Sequence, residues 1–281
     1  MTPAIPNVIR ELRPQLLWLV PFCGAVAPTT VWLYKRLTAN VWQMGPGVFV
    51  PFIFVYFVYT YLRDDPERGA ESSPLGFAFL VPGLLAIGLD AAIDTELLAV
   101  VGLVACVPGL SLLLLGLRRT RALAFPLLLL FMVIPIPAGL ISPVYLVLRH
   151  ISAWGAELAM GPFGIPAARD GTALSIPSGT YIVADVCSGF QTLMATVTLA
   201  LILAYLSTST RRRAAILLIA APLAIATNMV RVTSLVLLGH TYGLAILDTY
   251  VHELSGLLAF GASLVLLFAV AGREAPRGAP A

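Results

Sequence analysis

Charge is scarce in this chain. Only 11% of its 281 residues are Asp, Glu, Lys or Arg, against roughly a quarter in an ordinary soluble domain. That shortage excludes a water-soluble globular protein. No basic stripe or nucleic-acid-binding motif is present, so nucleic acid is not an expected partner. No cluster of His, Cys, Asp or Glu has metal-ligand spacing, and no glycine-rich loop could cradle a phosphate. Neither a metal nor an organic cofactor is expected. Cysteine is rare too. Cys23, Cys106 and Cys187 are odd in number and widely spaced, which excludes a disulfide framework. Cys23 and Cys106 lie in apolar runs, where a thiol acts as a small hydrophobe.

What the chain has in abundance is long apolar runs. It is 59% hydrophobic with a mean hydropathy of +0.94, and a run of about twenty apolar residues crosses a bilayer as helix. Candidate spans are residues 15–34, 45–62, 74–90, 97–117, 122–137, 188–207, 214–239 and 251–271. The expected fold is an all-α polytopic membrane protein of about eight transmembrane helices, forming a single domain over residues 1–272. A Pro/Gly/Ala-rich tail over 273–281 is expected to be disordered. Ala25-Val26-Ala27 resembles a signal-peptidase site, but Pro28 follows and blocks cleavage, so the first run is read as a retained span. With both termini in the cytoplasm, 12 of the 17 basic residues fall inside and 5 outside, as the distribution of Lys and Arg in membrane proteins requires.

The pattern changes between residues 138 and 187. Residues 139–160 can form a helix in the outer interface, with Arg149, His150 and Glu157 on its wet side. Residues 161–186 are rich in Gly and Pro, and Thr180-Tyr181-Ile182-Val183 has strand-like content. A small extracytoplasmic hairpin or ordered loop leading into Cys187 is expected.

Topology then brings three residues to one depth. If Arg211-Arg212-Arg213 is cytoplasmic, the preceding span starts outside at Cys187-Ser188. Arg231 lies 17 residues above Ala214, roughly 26 Å at 1.5 Å per residue, close to the outer edge of the hydrocarbon. The last span starts outside at His252. Singly, each residue has a plainer reading: a packed thiol, a snorkelling arginine, an interfacial histidine. Together they supply a nucleophile for acyl transfer, a permanent cation that favours thiolate or oxyanion, and a group that titrates near neutrality. A nearby cation and a helix N-terminus should both raise the thiolate fraction of Cys187. Asn228, one turn before Arg231, can orient it or the substrate. Gly256, one turn after His252, permits close helix approach. His150 and His240 compete for the histidine role. Asp185 and Glu253 are read as solvated boundary residues.

Ala184-Asp185-Val186-Cys187-Ser188-Gly189, Asn228-Met229-Val230-Arg231 and His252-Glu253-Leu254-Ser255-Gly256 together resemble the exosortase/archaeosortase family. The proline-ended stretch from Phe125-Pro126 to Ile134-Pro135-Ile136-Pro137 looks like that family's as well. The resemblance is sharpest over residues 122–260. Where many members carry a Tyr-Ser-His-Gly-like motif before the second span, this chain has Gln43-Met44-Gly45-Pro46-Gly47.

The resemblance implies a multi-pass cysteine protease or transpeptidase of the cell membrane, with its active site on the extracytoplasmic side. Cys187 would be the nucleophile, Arg231 the transition-state stabiliser and His252 the acid/base, with Asn228, Ser188, Gly189 and Gly256 binding substrate or supporting the site. Its partners would be membrane lipids and secreted proteins ending in a short motif, a transmembrane helix and a basic tail. Water, a lipid or a polysaccharide would accept the product. A different class of function also fits the residues: a non-catalytic transporter or assembly component of surface-polymer export, with Arg231 and Asn228 binding an anionic group. A rhomboid-like serine protease fits poorly, because no histidine is placed deep in a later span.

Overall fold

A computed structural model describes residues 16–39, 45–64 and 72–272. The expected tail over 273–281, Gln43, Met44 and most of the connector after Asp64 lie outside the described residues. All eight expected runs are helical. Their helices are α1 (Leu16–Ala39), α2 (Val50–Asp64), α3 (Phe77–Ile93), α4 (Leu97–Ala122), α5 (Ala124–Leu129), α7 (Phe190–Leu206), α8 (Thr210–Tyr242) and α9 (Tyr250–Ala271). The helix expected over 139–160 is α6 (Ala138–Met160). Among the described residues, four stretches are long and apolar enough to cross a membrane: Pro74–Ile93, Leu97–Ala122, Thr210–Tyr242 and Tyr250–Ala271. Phe190–Leu206 and Ala124–Val133 are apolar but shorter. The latter ends where Pro135 and Pro137 withhold the amide hydrogens that a further turn would need.

The chain divides into two compact units after Pro135. In the first, α3 and α4 form an antiparallel hairpin joined by glycines. A Cβ on Gly83 would stand 2.8 Å from the carbonyl oxygen of Gly102, and one on Gly109 would stand 2.9 Å from that of Gly76. Without side chains at these four positions the two backbones approach closely, and dispersion replaces the hydrophobic drive that lipid cannot supply. Buried Asp90 closes the connecting turn, accepting the Glu96 amide at 3.0 Å and the Thr95 hydroxyl. That carboxylate sets the tight geometry in which Asp94 and Glu96 both take positive φ. Inside α4, Gly116 leaves helical geometry (φ 79°, ψ 175°). The kink divides the apolar part of α4 from the basic stretch Arg118-Arg119-Thr120-Arg121, read from sequence as a connector.

The second unit carries α6, a small sheet and α7 to α9. In place of a hairpin the sheet is a three-stranded antiparallel meander, β1 (Ala168–Asp170), β2 (Ala173–Ile176) and β3 (Gly179–Ile182), in the order β1-β2-β3. The added strand lacks β-branched residues. Its Arg169 is tied to Glu157 of α6 at 3.2 Å and pairs with Leu174 in register. The sheet's inner face, Leu174, Ile176 and Tyr181, is buried with Ala153, Ala156 and Met160 of α6, Val232 and Val236 of α8, and Cys187. The sheet is thus a lid of apolar side chains that seats the turn bearing Cys187. At the other end of α7, α8 and α9, a second core of Ala200, Ala204, Ile216, Ala220, Leu267 and Ala271 keeps the three helices close. A Thr227–Ser263 hydroxyl bond of 2.7 Å ties α8 to α9.

Replacing Gly83 or Gly102 by Leu should force the α3–α4 hairpin apart. The expected cost is about 1–3 kcal/mol from overpacking, read as a lowered Tm of the detergent-solubilised protein, whereas Gly88→Leu, which meets open space, should leave the Tm unchanged.

Candidate active site

Cys187 closes a short 3-10 turn (Asp185–Cys187), its amide donating to the Ala184 carbonyl at 2.9 Å. Gly189, with φ 82°, then swings the chain into α7. A residue with a side chain could not replace it, because a Cβ there would lie 2.7 Å from Cβ of Asn228. The helix begins at Phe190, so the thiol stands ahead of it. Ser188 Oγ accepts the Phe190 amide at 3.3 Å and helps cap the first turn.

Three elements then converge. Cys187 Sγ lies 3.3 Å from Nε2 and 3.6 Å from Nδ1 of His252, which is in the first turn of α9. Near-equal distances put the sulfur beside the ring rather than on the lone-pair axis of either nitrogen. Arg231 of α8 reaches His252 twice through Nη2, at 3.4 Å from Nε2 and 3.3 Å from the main-chain oxygen. Arginine can only donate, so its bond to Nε2 favours the neutral tautomer with the proton on Nδ1. Arg231 Nε donates to Ser255 Oγ at 3.1 Å, and Ser255 donates to the His252 carbonyl at 2.6 Å. A Cβ on Gly256 would stand 3.4 Å from Arg231 Cζ, at van der Waals contact, so the guanidinium lies directly against α9 at this glycine. His252, Ser255 and Gly256 therefore form one receptor for the Arg231 head group.

Asn228 stands behind the thiol. Its amide nitrogen donates to the Cys187 carbonyl at 3.1 Å and to Ser152 Oγ at 2.9 Å. Asn228 is 1% exposed and Ser188 2%, so both support the turn from within. The competing histidines are elsewhere: His150 Nδ1 bonds the Leu146 carbonyl, and His240 Nδ1 bonds Ser178. Asp185, read as solvated, pairs with Arg149 at 3.1 Å. Ser255 was within reach of sequence reasoning, since it shares a helical face with His252. Ser152 and Arg149 were not, because their contacts cross dozens of residues.

The thiol's electrostatics differ from the expectation. Burial pushes Cys187 above the usual thiol range, and Arg231 pulls it only part of the way back. Cys187 precedes α7 by three residues, so it gains less from that helix's end than expected. The resting group is a neutral thiol beside an imidazole, with one fixed positive charge next to both.

Residues 39–269 match the family model of the transmembrane exosortases. The chain belongs to that family. It is accordingly a membrane protein of a family with a sorting-related transpeptidase role, and every residue of the site just described lies inside the match. No curated protein and no solved structure matches the chain.

Because desolvation outweighs the cation, alkylation of Cys187 by iodoacetamide should follow a pH profile centred above that of a free thiol at about 8.5. Arg231→Gln removes the group that lowers the thiol's pKa, so the profile should move higher still. Peptide mass spectrometry on the intact protein reads both.

Proposed function

We propose that this exosortase is a membrane-embedded cysteine protease and transpeptidase that cleaves C-terminal sorting signals made of a short motif, a transmembrane helix and a basic tail. The observation that carries the reading is the 3.3 Å approach of Cys187 Sγ to His252 Nε2 with Arg231 bonded to the same nitrogen. In this reading the chain makes eight passes with both termini cytoplasmic, and α6 lies in the outer interface. The 12-to-5 split of basic residues supports that orientation, in which the site faces the extracytoplasmic side.

The substrate's helix docks laterally and delivers its scissile peptide bond to the thiol. As Sγ bonds to the carbonyl carbon, the Arg231 hydrogen bond to His252 Nε2 gives way and that nitrogen takes the thiol proton. The carbonyl oxygen becomes an oxyanion, and Arg231 Nη2, released from His252 Nε2 while Nε stays on Ser255, meets the new charge. Collapse breaks the C–N bond, and His252 returns the proton to the leaving amine. The thioester on Cys187 is then opened by an amine or by water, whose proton passes to His252 and on to the departing sulfur. A lipid or polysaccharide acceptor would anchor the product at the cell surface.

The reading is tested with a co-expressed protein carrying such a signal. Cys187→Ala and Cys187→Ser should reduce C-terminal processing about 10³-fold or more, the scale set by removing a nucleophile. His252→Gln should come close to that loss. Undiminished processing by Cys187→Ala contradicts the proposal.

A further inference from the structure

Resting on the reading of Cys187 as nucleophile, we propose that one face of α6 is a clamp that positions the nucleophile turn, and that Tyr145, Arg149 and Ser152 are its positioning residues. They stand at spacings of four and three, which is one stripe of a helix. Each engages the stretch around Cys187 at a different point. The Tyr145 ring meets Phe190 edge-on at 5.0 Å between centroids, just after the thiol. Arg149 Nη1 pairs with Asp185 at 3.1 Å, just before it. Ser152 Oγ accepts from the Asn228 amide, whose second hydrogen goes to the Cys187 carbonyl. The turn is therefore held on both sides and through its own main chain by a helix that has no group at the reacting atoms.

The innermost of these contacts is built for placement rather than for packing. Ser152 is 2% exposed and Asn228 1%, yet Asn228 Oδ1 is buried with no hydrogen-bond partner among the described residues. Leaving a buried acceptor unbonded costs free energy that an apolar residue of similar shape would avoid. What the amide achieves in exchange is a fixed Cys187 carbonyl. Gly189, pressed against Asn228, admits no side chain that would push the turn away. The charged and titratable groups on the elements packed around the turn are Arg231 from α8, His252 and Glu253 from α9, Tyr181 from β3, Asp185 from the turn itself, and Tyr145 and Arg149 from α6. Moving the turn changes its distance to all of them.

Two experiments test the clamp, and the first needs no substrate. Ser152→Ala should let the turn drift from Arg231 and move the pH profile of Cys187 alkylation upward, while Ser152→Thr keeps the wild-type profile. In processing assays, Arg149→Asp and Asp185→Arg should each lower kcat about tenfold, since small misplacements of a reacting group cost rates of this order or more. KM should change less than twofold, and the double variant, with the pair reversed, should regain most of the rate. A Ser152→Ala profile that overlays the wild type, or a double variant no faster than the slower single one, overturns the clamp. Failure of Cys187→Ala to stop processing would instead contradict the proposed function, and the alkylation profiles would still report on the turn.

Discussion

The second unit is organised around a positive charge that no described residue neutralises. Arg231 is 7% exposed, and its partners, the Ser255 hydroxyl, the His252 carbonyl and His252 Nε2, are all neutral. Among the described residues it pairs with no carboxylate. Holding an uncompensated cation in a helical membrane bundle costs several kcal/mol, and a fold without use for it would replace it with an apolar residue. Here the hydrogen bonds fix the guanidinium in place while leaving its charge available. Its geometry joins α8 to α9, sets the tautomer of His252 and stands ready for any negative charge that develops at Cys187.

The remaining features of the unit follow from keeping a reactive thiol next to that cation. Burying Cys187 under the β1–β3 meander makes the free thiolate less stable, so the thiol is protonated in the resting protein. In the proposed reaction this ties ionisation to attack. Burial also requires the turn to be held precisely, because a sulfur displaced by an ångström loses the imidazole. Glycine at 189, the amide of Asn228 and the stripe on α6 each restrain that displacement from a different direction.

Much of this was legible in the amino-acid sequence, for reasons that can be named. Hydropathy located a helix in each of the eight runs, but among the described residues only four stretches are long and apolar enough to cross a membrane. Helix rise and the basic cluster at Arg211-Arg212-Arg213 were enough to expect Cys187, Arg231 and His252 together, and their side chains do meet. Other features were not legible. The strand Ala168–Asp170 has no β-forming composition and exists through its pairing with β2 and the Arg169–Glu157 bond. The role of Ser152 depends on an amide 76 positions away, and no periodicity encodes that. The balance of burial against Arg231 at the thiol is a three-dimensional quantity. Spacing gave the cation and not the desolvation, which is why the thiolate fraction was expected higher than the structure supports.

The account depends most on a covalent acyl group reaching Cys187. The direct measurement is intact-protein and peptide mass spectrometry of the enzyme quenched in acid during processing of a signal-bearing substrate. The account requires a hydroxylamine-sensitive adduct on Cys187 equal in mass to the substrate's N-terminal product, accumulating when acceptor is withheld. Processing that proceeds with Cys187 unmodified throughout, or an adduct on another residue, would contradict it.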